Sequence, residues 1–136
     1  MTIPDTPTPT TATGHWATGW YEGKRVLVTG GTSGIGAGLA RGFIEAGAHV
    51  TIAGVNQREI DEAAHDPVLK AAHARMLDVR ESASVTALIA EQETLDVVVN
   101  CAGVIRRGEE LDPEVFQDVL DINLNGTMRV LSLIHI

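Results

Sequence analysis

The segment that most constrains this chain is Thr29-Gly30-Gly31-Thr32-Ser33-Gly34-Ile35-Gly36. A short apolar run, Arg25-Val26-Leu27-Val28-Thr29, precedes it and reads as a strand buried on both faces. After it Ile35, Leu39, Phe43 and Ile44 recur at helical spacing, and Gly47 reads as the helix stop. A strand that turns through glycines straight into a helix has few uses. Gly30 permits the sharp exit from the strand, Gly34 lets the backbone approach a pyrophosphate, and Gly36 lets the helix sit close to the sheet. Backbone N–H groups and the helix dipole then favour a diphosphate at that end. The strand before and the helix after separate this reading from a tight turn without a ligand.

The alternation repeats downstream. Residues 50–53 read as a second strand, residues 57–65 as a short polar helix ended by Asp66-Pro67, and residues 74–77 as a weaker third strand. Val85, Leu88 and Ile89 mark another helix, and residues 95–99 form a β-branched fourth strand. Asp112-Pro113-Glu114 starts the next helix, with Asp as N-cap and Pro at the first helical position. Val115, Val119, Ile122 and Val130 supply its apolar stripe. Strand and helix alternating over short connections predict right-handed crossovers and a parallel sheet covered on both faces. The fold class is therefore α/β, a Rossmann-type doubly wound parallel sheet, whose full strand order is 3-2-1-4-5-6. Here it is expected to be truncated after the fourth strand and the helix that follows, leaving strand 4 at an uncovered edge.

Composition narrows the function. A length of 136 residues fits one domain, on a prior of roughly 100–200 residues each. Apolar residues at 44% and charged residues at 21% exclude wholesale disorder. A net charge of −8 repels phosphate backbones, so no nucleic-acid partner is expected. No apolar run approaches the ~18 residues of a membrane span, and the amino terminus lacks the basic and apolar regions of a signal peptide. The single cysteine, Cys101, permits no internal disulfide. The expectation is a cytoplasmic protein without a membrane partner.

Three stretches are expected. Residues 1–20 read as a disordered tail, rich in Thr and Pro at its start, with Trp16, Trp20 and Tyr21 as an anchor onto the domain edge. Residues 21–130 read as the N-terminal half of a dinucleotide-binding domain. Residues 131–136, Leu-Ser-Leu-Ile-His-Ile, are encodable by CTG TCT CTT ATA CAC ATC, which matches the mosaic end of a transposase adapter. On that reading they are a non-native end; the other reading continues the apolar stripe of the last helix.

Four motifs in order carry a family resemblance. The loop spacing is Gly-x3-Gly-x-Gly, after the lead-in Tyr21-Glu22-Gly23-Lys24. Asp78-Val79 follows strand 3, Asn100-Cys101-Ala102-Gly103 follows strand 4, and Ile122-Asn123-Leu124-Asn125-Gly126 lies in the last helix. Over residues 21–130 the chain resembles the short-chain dehydrogenase/reductase family. The resemblance implies an NAD(P)-dependent oxidoreductase acting on a secondary alcohol or ketone. It makes Asn123 a catalytic residue that distorts its helix and holds a water in a proton relay. It assigns cofactor binding to Thr29, Gly30, Thr32, Ser33, Gly34, Ile35 and Gly36 in the loop, and to Asn56 after strand 2. It adds Asp78 and Val79 at the adenine, and Asn100, Ala102 and Gly103 on the cofactor floor, with Asn100 bridging the central strands. No metal is implied. Cys101 replaces the second Asn of the family motif and reads as a buried small residue.

Departures matter as much. The family's chemistry also uses a Ser and a Tyr-x-x-x-Lys pair, whose Lys lowers the Tyr pKa. The only Tyr is Tyr21 and the last Lys is Lys70, so this chain is expected to be inactive alone. An acidic residue at the end of strand 2 would accept from the ribose of NAD, and an Arg there would suit NADP. The stretch Ala53-Gly54-Val55-Asn56-Gln57-Arg58 offers neither directly; Asn56 suits a 2′-OH and Arg58 a phosphate, and the reading leans to NAD(H) over NADP(H). Ile105-Arg106-Arg107, with Gly54-Val55-Asn56, resembles members that oxidise sugar acids such as 2-deoxy-gluconate or keto-deoxy-uronates. An Arg there would pair with a substrate carboxylate, or else with Glu109 or Glu110 on the surface. 3-oxoacyl-thioester reductases and polyol dehydrogenases share the frame, and a non-catalytic dinucleotide-binding module is the alternative. The implied partners are a small-molecule substrate and, at full length, further copies of the chain.

Overall fold

A computed structural model describes residues 17–134. Four strands, β1 (Arg25–Thr29), β2 (His49–Gly54), β3 (His73–Met76) and β4 (Val97–Asn100), pair in parallel in the order β3-β2-β1-β4. Helices α1 (Gly34–Glu45), α2 (Gln57–His65) and α3 (Ser82–Ala90) connect them. After β4 come α4 (Pro113–Leu120), a π-helical turn over Asp121–Asn125, and α5 (Gly126–Ile134). The order is the 3-2-1-4 part of the expected doubly wound sheet.

Alternation along β1 builds two cores, because successive strand residues face opposite sides of the sheet. Val26 and Val28 join Val50 and Ile52 of β2 under Ala37 and Ala40 of α1. Leu27 and Ala53 face the other way, against Val85 and Leu88 of α3 and Val130 of α5. Strand β1, read as buried on both faces, and β2 are buried after their first residue, whereas β4 is half-buried throughout, with no strand on its outer side among the described residues.

Three sequence expectations are corrected. The inward face of α1 is Gly36, Ala37 and Ala40 with Phe43 and Ile44, while Ile35 is 80% exposed and Leu39 is 41% exposed. Small residues let α1 sit directly on the sheet and turn the larger side chains outward. Strand 4 begins at Val97 rather than residue 95, because Asp96 spends its own backbone N–H and its carboxylate on both polar groups of Arg25. Strand 3 spans His73–Met76 rather than residues 74–77, since Leu77 turns into the core while bonding the Gly54 carbonyl. The last helix is distorted around Asn123, as the resemblance implied, by the π-helical turn over Asp121–Asn125.

Of the expected tail over residues 1–20, residues 17–20 are described: they form turns in which Ala17 is buried and Trp20 exposed. Tyr21 packs edge-on against Phe43, with ring centroids 5.0 Å apart. Residues 1–16, with Trp16, lie outside the described residues, as do residues 135–136 of the expected non-native end; residues 131–134 continue α5. No helix among the described residues is long and apolar enough to cross a membrane.

Candidate functional site

At the carboxyl end of β1 the chain leaves the sheet at Gly30, whose φ of +62° lies in the left-handed region that glycine adopts without strain. A Cβ there would stand 2.8 Å from backbone atoms of Cys101 and Ala102, so the loop after β4 lies directly against it. A Cβ on Gly36 would run into the Gly30 carbonyl, which is why α1 enters so close to the strand. Gly34, at φ +53°, has nothing within 4 Å of its missing Cβ. Asn56 caps α2 and Asp112 caps α4, each accepting from backbone N–H groups. Ser33, the N-cap of α1, forms no side-chain cap. The amino end of α1 therefore presents its N–H groups to a cleft of about 530 Å³, within the usual range for small-molecule sites.

The cleft's walls are braced from the last helices. Asp78, after β3, accepts from the Arg80 guanidinium at 2.7 Å and from the Arg80 backbone N–H at 3.0 Å. Those bonds hold the Asp78 carboxyl below the usual carboxylate range. Arg80 also reaches Asp118 of α4 at 2.8 Å. Val79 is buried against Gly126, where a Cβ would stand 2.5 Å from its Cγ2. The Val79 carbonyl accepts from Arg129, which pairs with Asp121 at 2.7 Å.

On the opposite wall, Ala102 N donates to the Thr29 hydroxyl at 3.3 Å. Asn123, inside the π-helical turn, accepts from Val104 N at 2.8 Å and donates to Val104 O at 2.9 Å. A neutral amide is one of the few side chains that can close both groups of one residue at once. π-helical turns concentrate at functional sites because they push one residue out of helical register.

The structure sorts the sequence-predicted residues into two groups. Gly30, Ser33, Gly34, Ile35 and Gly36 line the cleft from one side, and Asp78, Val79, Ala102 and Gly103 from the others. Thr29, Thr32, Asn56, Asn100 and Asn123 stand behind them. Thr29 is buried beneath the loop, Asn56 caps α2, and Asn123 clamps the wall at Val104. Asn100 Oδ1 is buried with no hydrogen-bond partner among the described residues, so the expected bridge between central strands is not made by that atom. Cys101 is partly buried and lines the cleft. Two residues that sequence reasoning missed are Glu59 and Arg80. Both had a signal: Asn56-x-x-Glu59 has capping-box spacing, and Asp78-x-Arg80 places a cation two residues past a carboxylate.

Arg106 and Arg107 are exposed in the loop beyond Val104, and neither side chain is ion-paired among the described residues. The surface pairing with Glu109 or Glu110 is therefore not formed. Neither Tyr nor Lys lines the cleft. Tyr21 packs on Phe43, and Lys24 pairs with Asp96 at the amino end of the sheet, away from the cleft.

Comparison with known proteins decides the family. The family model described as short chain dehydrogenase matches residues 24–135. The chain belongs to the short-chain dehydrogenase family. It is 38% identical over 120 residues to a 3-oxoacyl-(acyl-carrier-protein) reductase of Chlamydia muridarum, covering 82% of this chain and 48% of that one. It is 36% identical over 91 residues to a 2-keto-3-deoxy-L-fuconate dehydrogenase of Xanthomonas campestris pv. campestris, covering 67% and 30%. A solved structure titled short chain dehydrogenase/reductase family protein superimposes with a TM-score of 0.73 at 34% identity, covering 83% of this chain and 48% of that one. The chain thus spans about half the length, or less, of these two curated relatives. Short-chain dehydrogenases are oxidoreductases that bind NAD(P) and act on small molecules. The open space over Gly34 and the uncapped amino end of α1 suit the diphosphate of such a dinucleotide.

Proposed function

We propose that this chain is the dinucleotide-binding half of a cytoplasmic NAD(P)-dependent oxidoreductase that interconverts a secondary alcohol and a ketone, sugar acids being its substrate class. The observation that carries the reading is the end of α1, where an uncapped helix amino terminus meets open space over Gly34. A bound nicotinamide dinucleotide would supply the hydride acceptor or donor. The chain's own residues hold the dinucleotide: the loop from Gly30 to Gly36 seats the diphosphate, and Asp78 and Val79 border the adenine. The Thr29 hydroxyl and Asn123 fix the wall formed by Ala102, Gly103 and Val104. Asn123, which the motif resemblance matches to the family's catalytic Asn, has its amide committed on both sides to Val104. NAD(H) is favoured over NADP(H), because no Arg follows β2 directly.

The sugar-acid assignment rests on Arg106 and Arg107, two exposed residues of the loop beyond Val104 whose guanidinium groups have no ion pair among the described residues and suit a carboxylate. A relative named for a keto-deoxy sugar acid supports it; the acyl-carrier-protein reductase relative supports the second reading, a 3-oxoacyl-thioester reductase. At full length the enzyme is expected to form homo-oligomers.

The 136-residue chain itself is expected to turn over no alcohol, since no Tyr or Lys stands in the cleft. Calorimetric titration of the purified chain with NAD(H) and NADP(H) tests the binding role, and a spectrophotometric assay of reduced nicotinamide tests the inactivity. Dinucleotide binding without turnover is the expected result. Absence of binding would refute the role, and turnover above a no-protein control that Asn123→Ala abolishes would refute the inactivity.

A further inference from the structure

Many dinucleotide-binding folds carry a carboxylate at the end of the second strand, where it meets the ribose 2′-OH. Here that position, Gly54, has room for no side chain: a Cβ would stand 2.5 Å from Thr32 Oγ1 and 2.7 Å from its Cγ2. The same Thr32, buried in the glycine loop, donates its hydroxyl proton to Glu59 Oε2 at 2.8 Å. Glu59 lies five residues past Gly54, in the first turn of α2, and it lines the cleft beside Gly54 and Val55. Its other oxygen accepts from Asn56 Nδ2 at 3.0 Å, while its backbone N–H donates to Asn56 Oδ1 at 2.9 Å. The side chain is thus fixed from both sides, yet each carboxylate oxygen keeps a further lone pair for an incoming hydroxyl.

We propose that Glu59, held by Thr32, is the residue that selects an unphosphorylated ribose. Thr32 displaces the acid from the strand end and repositions the charge on α2. The inference rests on the dinucleotide reading above and names the residue behind the cofactor preference. A 2′-OH donates to Glu59; a 2′-phosphate, carrying between one and two negative charges, meets a fixed carboxylate. The charged groups around Glu59 do not cancel it. Arg58 points along the outside of α2 and pairs with Glu62 at 2.8 Å, its side chain 86% exposed. Arg80, on the facing wall, is committed to Asp78 and Asp118.

The test is a fluorescence titration of the whole chain with NADH and with NADPH, in wild type and in Glu59→Gln, Thr32→Val and Arg58→Gln variants, each checked for an unchanged melting curve. Wild type is expected to bind NADH about tenfold or more tighter than NADPH. Glu59→Gln, which keeps the hydrogen bonds' shape and removes the charge, is expected to narrow that ratio by about tenfold, chiefly through tighter NADPH binding. Thr32→Val, which frees the carboxylate, narrows it in the same direction, and Arg58→Gln leaves it unchanged. A Glu59→Gln ratio within about twofold of wild type, with NADH still bound, overturns the inference and leaves the dinucleotide site standing. A wild-type preference for NADPH, or a selective loss of NADPH binding in Arg58→Gln, overturns it too. Failure of wild type to bind either dinucleotide overturns the underlying reading and this inference with it.

Discussion

At the scale of single residues, the site depends on glycines such as Gly30 and Gly36, where an added Cβ would overlap neighbouring backbone. Gly30 combines a positive φ with backbone of Cys101 and Ala102 at 2.8 Å, so an added methyl meets both torsional strain and overlap that no rotamer relieves. Gly30→Ala is expected to destabilise the fold by about 2–4 kcal/mol, read from the midpoint of a urea unfolding curve. A loss below ~0.5 kcal/mol would mean that the loop after β4 yields easily. Gly30 and Gly36 were legible in the sequence because a glycine requirement is local: turn and helix packing follow from the strand before and the helix after. Glu59 and Arg80 were harder to see because their roles depend on contacts across elements. Thr32 reaches Glu59 over 27 residues, and Arg80 reaches Asp118 over 38. The Asn100 amide shows the converse. Its motif was legible, but its buried Oδ1 has no partner among the described residues, and we have no physical account of that atom.

At the scale of elements, α4, the π-helical turn and α5 follow one another without a break, and of the stripe Val115, Val119, Ile122 and Val130 read at helical spacing, Ile122 and Val130 join the core. The π-helical turn had one sequence cue, the poor helix former Asn123 in mid-helix. Its consequence, the clamp on Val104, was not readable. Asn123→Ala leaves both polar groups of Val104 without this partner and is expected to cost about 1–2 kcal/mol. The amides of residues 103–105 should then exchange faster than in wild type; unchanged exchange there would show that the wall holds without the clamp. The chain after α2 is tied down by Asp66. It accepts from Arg41 of α1 at 2.6 Å and from the backbone N–H groups of Val68 and Leu69 at 2.9 and 2.8 Å. The Arg41 bond foremost, then those backbone bonds, push the Asp66 carboxyl far below its ordinary range. A depressed carboxylate pKa gives stability that is present in full above the unfolded value, about 3.9, and is lost as pH falls toward the folded one. Asp66→Asn is therefore expected to melt below wild type at pH 7, with the two curves converging as the pH drops below about 4. A gap that stays constant down to acid pH would contradict the assignment.

At the scale of the whole molecule, the sheet ends abruptly on one side. β4 is half-buried along its length, and Phe116, Leu120, Leu124 and Met128 are exposed apolar residues spaced four apart along α4, the π-helical turn and α5, with Leu124 at 62% and Met128 at 64% exposure. Exposed strand edges and apolar rows of this kind drive association. The purified chain is expected to sediment as dimers or larger species at micromolar concentration, and Leu124→Glu with Met128→Glu to shift it toward monomer. A wild-type monomer at those concentrations would show that the row is solvated without consequence. The fold's order, β3-β2-β1-β4, was readable because strand and helix alternate with short connections; which faces stay open was not, because burial is set by what packs across the sheet. The proposed function stands or falls on whether the uncapped amino end of α1, over Gly34, holds a dinucleotide diphosphate. The most direct measurement is the backbone amide spectrum of the chain titrated with NAD(H), beside Gly34→Val. The predicted result is saturable shifts centred on Ser33, Gly34, Ile35 and Gly36 that vanish in Gly34→Val, whose branched side chain fills the open space. Saturable binding that leaves those four amides unmoved, or that survives Gly34→Val unchanged, would contradict the claim.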